Sequence, residues 1–373
     1  MTGFDALDRA FMARALTLAA HGLATTHPNP RVGCVLARAG QVLAEGWHER
    51  AGGPHAEAMA LANLAGSAEG ATAYVTLEPC NHHGQTPPCS EALIKAGVTR
   101  VVYAIGDPNR QVKGGGAQRL REAGVQVQSG LFAAEATEPN AGFIKRMRLG
   151  LPLVRLKLAM SLDGRTALSD GRSKWITGEA ARLDVQQWRA RSAAILTGIG
   201  TVLTDDPMLS VRPVGAGVRQ PLRVILDSSL RTPPQARVFD GTDAQGVLIF
   251  TASTDAQRSA ALTARGARVE HCAEGARVDI AQVLRRLGTA GINEVLVEAG
   301  ATLAGALVEQ HCVDELLLYV APVLLGDRAR GLVRLPEPQE LAQARRCEVF
   351  ETVAVGADQR IRLRVGQAAC SPG

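Results

Sequence analysis

The chain has 373 residues, 46% of them hydrophobic and 21% charged, with a formal net charge of +5. That length predicts two domains, and the ordinary composition excludes a disordered or fibrous chain. No apolar run approaches the roughly 20 residues that span a bilayer, and Asp5 and Asp8 stand where a secretory signal would carry positive charge, so a cytoplasmic protein without a membrane partner is expected.

In residues 1–22, Phe4, Leu7, Phe11, Ala15 and Leu18 recur at helical spacing and predict an amphipathic helix. Residues 32–36 and 41–46 predict a hairpin, 55–64 a helix, 73–77 a buried strand, 90–96 a helix and 100–105 a second buried strand; 114–123 continues the alternation. Such alternation marks an α/β layer fold. Residues 142–152 mix glycine and proline with a basic cluster, which places a domain boundary near 148, although the cluster reads equally as a solvated helix end. In the second half, strands are predicted at 153–158, 193–197, 222–226, 247–251, 294–298, 315–320 and 361–365. They imply a mostly parallel sheet covered on both faces by helices, with ligands beyond the carboxyl ends of the strands. Asp163, Asp205 and Glu298 are each expected to follow a strand. Residues 367–373 are expected to form a disordered tail.

The seven cysteines, Cys34, Cys80, Cys89, Cys272, Cys312, Cys347 and Cys370, are odd in number and scattered, unlike a disulfide framework. Only Cys80 and Cys89 sit close together. Of the 41 basic residues just five are Lys. Arginine forks match phosphate oxygens, which favours a phosphorylated small substrate, although a genome biased toward Arg codons gives the same composition.

His55-Ala56-Glu57 followed by Pro79-Cys80 has the form of the zinc deaminase signature, H-x-E then P-C-x-x-C, where one His and two Cys hold zinc and the Glu moves protons. Here the second cysteine, Cys89, comes after eight residues rather than two. The longer loop still suits the site, because Cys80 ends a predicted strand and Cys89 opens a predicted helix. His55, Cys80 and Cys89 make three protein ligands and leave a fourth position for water, as catalytic zinc sites do. Glu57 is the candidate general acid and base, taking a proton from water and handing it to the leaving amine. Singly, each of these residues reads better as a surface pair or a small buried side chain. The four in this order point to hydrolysis of an aminated heterocycle. A structural zinc site would use four protein ligands and leave Glu57 without a role. His82 and His83 lie inside the ligand loop, where substrate contact or packing suits them better than metal ligation.

His27-Pro28-Asn29-Pro30-Arg31-Val32-Gly33, Gly46-Trp47-His48, Gly53-Pro54-His55-Ala56-Glu57, the run from Thr76 through Glu78-Pro79-Cys80 to Cys89, and Asp107-Pro108-Asn109 resemble the deaminase half of the bifunctional riboflavin-biosynthesis deaminase/reductases. The eight-residue spacer belongs to that pattern. The resemblance implies that Asn29, His48, His82, Asp107 and Asn109 line the pyrimidine and ribose phosphate site. Gln85 departs from it, since many relatives carry a basic residue there to meet the phosphate.

The residues of the second half say less by themselves. No G-x-G-x-x-G follows a strand. Glu298 at a strand end, followed by residues 300–305 opening a helix whose free N–H groups suit a pyrophosphate, is the available signal. Singly, Asp163-Gly164 reads as a turn, Trp175 as a loop anchor and Asp205-Asp206-Pro207 as a helix start. Together with Lys157-Leu158-Ala159, Ser173-Lys174-Trp175 and Val297-Glu298-Ala299-Gly300, they resemble the same family's reductase domain, which is dihydrofolate-reductase-like. By that resemblance Ala159, Trp175, Thr201, Asp205, Ser228, Gly300, Ala301, Thr302, Leu303, Ala304, Gly305 and Ala306 contact NADPH. Ser173, Arg189, Leu209, Arg212 and Glu298 contact substrate, and no catalytic residue is singled out in this half.

The family implies a cytidine-deaminase-like α/β/α domain over residues 1–147 and a dihydrofolate-reductase-like α/β domain over 148–366. It implies zinc-dependent deamination of a diaminopyrimidinone ribosylamine 5′-phosphate, then NADPH-dependent reduction of the ribosyl chain to ribityl. A small phosphorylated pyrimidine and a homo-oligomer are the expected partners, with no nucleic acid. The rival reading is a nucleic-acid-editing zinc deaminase with a C-terminal binding module. It calls for aromatic stacking platforms and a basic stripe, whereas aromatics are 3% of the chain and no stripe is visible.

Overall fold

The computed structural model describes residues 3–81, 88–109, 115–212, 217–241 and 246–366. It divides into two compact units, one of Met1–Leu151 with Ala216–Arg219 and one of Pro152–Gly215 with Gln220–Gly373. No described helix is long and apolar enough to cross a membrane.

The first unit contains helices α1 (Ala6–Ala20), α2 (Ala56–Ala62), α3 (Cys89–Lys95), α4 (Gly115–Glu122) and α5 (Ala133–Leu149). Its strands are β1 (Gly33–Arg38), β2 (Gln41–Trp47), β3 (Thr72–Leu77), β4 (Arg100–Ile105) and β5 (Gln126–Ser129), in the order β2-β1-β3-β4-β5. β1 is antiparallel to β2 and β3, whereas β3, β4 and β5 run parallel. Successive residues face opposite sides of the sheet. Cys34, Leu36, Val75 and Val101 pack with Ala60, Leu93 and Leu120; Val35, Ala37, Tyr74 and Val102 pack with Phe11, Met12, Ala15 and Ala136. With both faces covered, β1, β3 and β4 are largely apolar, which is why they stand out in the sequence.

α1 begins with a capping box, in which Asp5 and Asp8 each accept from the other's backbone N–H. Leu7, expected on the buried face, is 49% exposed. Asp8 is buried instead, because its carboxylate receives Arg100 at 2.6 and 2.9 Å and the Tyr74 hydroxyl at 2.8 Å. α5 runs through Pro139 and ends at Gly150 in the left-handed region, so the basic cluster is the end of a helix, with Arg146 and Arg148 in its last turn.

The second unit has helices α6 (Glu179–Arg191), α7 (Ile199–Asp205), α8 (Ala256–Thr263), α9 (Ile280–Thr289) and α10 (Ala301–Glu309). Its large sheet comprises β6 (Leu153–Ser161), β8 (Ala194–Gly198), β9 (Leu222–Leu226), β10 (Val247–Thr251), β11 (Ala267–His271), β14 (Glu294–Glu298), β15 (Glu315–Ala321), β17 (Cys347–Val355) and β18 (Asp358–Val365). Two small pairs stand apart: β7 (Arg165–Ala167) with β16 (Arg330–Gly331), and β12 (Ala273–Glu274) with β13 (Arg277–Val278). The order is β11-β10-β9-β8-β14-β6-β15-β18-β17, parallel from β11 to β15 and closed by the antiparallel β18 and β17. Ile195, Ile225, Ile249 and Leu296 pack with α6 residues Val185 and Trp188, and their neighbours Leu196, Val224, Leu248 and Val297 are equally buried. The strands β8, β9, β10 and β14 are therefore covered on both faces. β11 and β17 were not predicted; most residues of β17 are exposed, and Phe350-Glu351 at a register shift interrupts the alternation of Cys347, Val349, Val353 and Val355. Asp205 corrects an expectation. It is the last residue of α7 rather than a residue after a strand, and Asp206 beyond it caps the helix in the left-handed region.

A cluster of charges sits where β6, β14, β15 and β18 meet α6. Arg155, nearly inaccessible, pairs with both Glu294 and Glu315. Arg191 joins Glu294 at 3.2 Å, Arg362 joins Glu315 at 2.7 Å and Glu351 at 3.0 Å, and Arg360 joins Glu351 at 2.6 Å and Asp184 at 2.9 Å. The four guanidiniums surround Trp188 at 4.9 to 5.4 Å from its ring centroid. Four positive charges thus meet four carboxylates.

Candidate active sites

Three elements of the first unit deliver one ligand atom each. His55 immediately precedes α2, Cys80 lies just past β3, and Cys89 is the first residue of α3. His55 Nδ1 lies 3.5 Å from Cys80 Sγ and 3.4 Å from Cys89 Sγ, and the ligand atoms all fall within 4.8 Å of one another. One tetrahedral zinc sets nitrogen and sulfur ligands about 3.5 Å apart, given bonds of roughly 2.0 and 2.3 Å, so this donor set fits zinc. Among the described residues no other group of His, Cys, Asp and Glu gathers in this way. The Cys89 backbone N–H donates to Cys80 Sγ at 3.4 Å. Hydrogen bonds from the Cys89 thiol and from His55 favour Cys80 as the thiolate, and the same thiol contact with burial pushes Cys89 up. Gly46 on β2 lets α2 lie close enough, since a Cβ there would sit 2.4 Å from Ala60 N and 2.5 Å from Ala56 O.

Glu57 stands in the first turn of α2, 3% exposed. Burial, reinforced by the charge of Cys80, raises its carboxyl to about 7. A group poised there both takes and returns a proton near neutral pH. His48 is buried edge-on to His55, ring centroids 5.7 Å apart. Its Nδ1 faces the Pro54 carbonyl at 2.9 Å, which only accepts, so Nδ1 carries the proton and Nε2 accepts from Asn29 Nδ2 at 3.0 Å. Burial lowers the His48 pKa and keeps the ring neutral. Both nitrogens are then engaged within the protein, and His48 orients the Asn29 amide. From α5, Asn140 accepts from Arg31 N at 2.8 Å and donates to Arg31 O at 2.9 Å, bracing the same segment. Asp107 follows β4, accepts from Asn109 N at 2.8 Å, and its charge acts on His55. His82, His83 and Gln85 lie outside the described residues.

In the second unit a groove of about 1660 Å³ opens at the carboxyl ends of β6, β8, β9 and β14. Ala159, Trp175, Thr201, Asp205, Ser228, Gly300, Ala301, Thr302, Leu303 and Ala306 line it, and so do Ser173, Arg189, Leu209, Arg212 and Glu298. Ala304 and Gly305 do not. Ala304 is fully buried, and a Cβ at Gly305 would lie 1.9 Å from Arg334 O. The run 300–306 therefore splits by helix face, with 304 and 305 turned into the protein. Single-ligand pockets span about 300–1,000 Å³, so this groove has room for a dinucleotide and a second molecule. The first turn of α10 lines it without a side-chain cap, leaving backbone N–H groups suited to a pyrophosphate.

Arg189 grips Glu298 through two bonds of 2.6 and 2.9 Å and donates to Ser210 O at 2.9 Å. Burial alone would raise the Glu298 carboxyl, but Arg189 and then Lys157 outweigh it and hold it below the usual range. Lys157 also lines the groove, its ammonium pKa lowered chiefly by burial. It stands in the quoted motif, yet sequence reasoning gave it no role, because a strand lysine ordinarily reads as a solvent-facing position. Glu78, 5% exposed beside Cys80, was passed over in the same way.

Residues 5–105 match the cytidine and deoxycytidylate deaminase zinc-binding region, and residues 152–358 match the RibD C-terminal domain. The chain is 48% identical over 368 residues to the riboflavin biosynthesis protein RibD of Escherichia coli (strain K12), covering 95% of this chain and 99% of that protein. It is similar to the structure of Acinetobacter baumannii RibD, with TM-score 0.89, 43% identity, and 97% and 99% of the two chains covered. A diaminohydroxyphosphoribosylaminopyrimidine deaminase/5-amino-6-(5-phosphoribosylamino)uracil reductase from Thermotoga maritima matches with TM-score 0.85 and 32% identity over 96% of this chain and 99% of that one.

Proposed function

This chain belongs to the RibD family of bifunctional riboflavin-biosynthesis deaminase/reductases, and on that premise we propose that residues 1–147 carry the deaminase and residues 148–366 the reductase. The protein is a zinc-dependent deaminase and an NADPH-dependent reductase. Its reactions are hydrolytic deamination of 2,5-diamino-6-ribosylamino-4(3H)-pyrimidinone 5′-phosphate and reduction of the ribosyl side chain to ribityl.

In our reading His55, Cys80 and Cys89 hold the metal. Zinc, when bound, supplies the Lewis acidity that makes water a nucleophile near neutral pH. Glu57, buried beside the ligand set, would take a proton from the attacking water and return it to the leaving amino group, which departs as ammonia. Asn29, oriented by His48, together with Asp107 and Asn109, orients the pyrimidine. In the second half NADPH, when bound, would supply a hydride. Ala159, Trp175, Thr201, Asp205, Ser228 and the groove-facing residues of 300–306 hold the cofactor, while Ser173, Arg189, Leu209, Arg212 and Glu298 position the ribosyl chain. A homo-oligomer in the cytoplasm belongs to the same reading, and light scattering on purified protein tests the first part of it.

The convergence of His55, Cys80 and Cys89 beside the buried Glu57 carries the proposal. Purified protein is expected to hold one zinc per chain. E57Q should keep that zinc and lose about 10³-fold in deamination, within the range of general acid–base catalysis. Zinc-free protein with full deaminase activity would sink the assignment. Supplying the deaminated pyrimidine and following nicotinamide absorbance tests the second half, where no oxidation of NADPH would leave only the deaminase.

A further inference from the structure

Glu78 follows β3, and its backbone N–H donates to Ile105 O at 2.9 Å, which fixes it at the paired ends of β3 and β4. Its side chain turns inward rather than to solvent, 5% exposed. There Oε1 accepts the backbone N–H of Ala117 at 3.0 Å, and Oε2 lies 3.4 Å from the backbone N–H of Asp107. One carboxylate therefore touches both described ends of the connection between β4 and α4. The packing around it is tight. A Cβ on Gly116 would lie 1.7 Å from Pro79 O, so the first turn of α4 rests directly on the segment that carries Cys80. A buried carboxylate is costly without partners, and its two oxygens find them in backbone N–H groups that nothing else in a turn would satisfy.

We propose that Glu78 is a positioning residue for deamination: it ties the segment bearing Cys80 to the loop bearing Asp107 and Asn109, and so holds the substrate contacts in register with the metal site. This rests on the reading in which Asp107 and Asn109 meet the substrate. Glu78 is not among the converging ligand atoms, and its oxygens are taken up by backbone N–H groups, so its loss should loosen substrate binding and leave the metal in place.

The test uses the full-length zinc-loaded protein. In E78Q the amide keeps one accepting oxygen and sets an N–H donor against a backbone N–H. KM for deamination is expected to rise about tenfold or more, the size of one charge-assisted hydrogen bond. kcat should change little and zinc should stay at one per chain. E78D, which keeps the charge but shortens the reach, should fall between E78Q and the parent, and it stands in if E78Q does not fold. D107N run alongside separates the two ideas. An unchanged KM in D107N removes the substrate reading. A raised KM in D107N with an unchanged KM in E78Q and E78D overturns the role of Glu78. Loss of zinc in step with activity in both Glu78 variants also overturns it, since Glu78 would then support the metal ligands alone.

Discussion

In the first unit the chemistry converges on a point, three ligand atoms within 4.8 Å and one buried carboxylate, whereas in the second it is spread along a groove of about 1660 Å³. The difference follows from the reactions. Hydrolysis needs a polarised water and one proton carrier at a fixed place, so few side chains carry the rate. Hydride transfer between two bound molecules needs them held face to face, and that work divides among many contacts. A point site fails when one residue changes, and a groove site degrades gradually.

Removing the metal draws that contrast most sharply. Dialysis against a strong zinc chelator is expected to abolish deamination and leave NADPH oxidation by the same molecules intact. Parallel loss of both activities would show that the second unit also depends on the metal. The next effect concerns the frameworks behind the two sites. E315Q removes one of four carboxylates from the buried charge cluster and leaves Arg155 and Arg362 facing an amide, so it should cost about 3–5 kcal/mol, read as an earlier denaturant midpoint of the second unit. The first unit has a smaller counterpart in Asp8, and D8N should cost about 2 kcal/mol from its hydrogen bonds to Arg100 and Tyr74. Arg100 is the chief reason the Asp8 carboxyl titrates below its ordinary value in the folded chain. Its contribution is therefore fully present above the unfolded pKa and is lost as pH falls through the folded one. The gap between D8N and the parent should close in acid; a gap constant down to low pH would remove the ion pair from the account. The smallest effect belongs to the groove. T302A should weaken NADPH binding, measured by calorimetry, by less than about tenfold, or roughly 1.4 kcal/mol. Loss of all binding in T302A would make the groove a point site after all.

How much of this was legible in the sequence depends on separation along the chain. Strands buried on both faces announce themselves as apolar runs, and β4, β9, β10 and β14 begin and end where the pattern places them. The ligand set was legible because His55, Cys80 and Cys89 each sit at the end of an element that could be recognised. The supports were not. Asn140 braces Arg31 from 109 positions away, and Glu78 finds its partners 29 and 39 positions later; no local pattern encodes such pairings. Of α5 only its end in the basic cluster was legible, because glycine and proline in 142–152 look like breakers, while tertiary packing of Ala136, Asn140 and Phe143 holds the helix together. In α10 the family pattern treats 300–306 as one stretch, and only the helix turn reveals that Ala304 and Gly305 face away.

The charge cluster around Trp188 bears on how the second unit changes over generations. An apolar core accepts substitutions one at a time, each nearly neutral if volume is kept. Here Arg155, Arg191, Arg360 and Arg362 balance Asp184, Glu294, Glu315 and Glu351, so a single replacement leaves the network one charge out of balance, most deeply at Arg155 and Glu294, whose side chains are 2% exposed. Restoring that balance takes coordinated exchanges among β6, β14, β15, β17, β18 and α6. The sheet beneath the groove is thus held by charge as well as by apolar packing, a foundation in which one change calls for another.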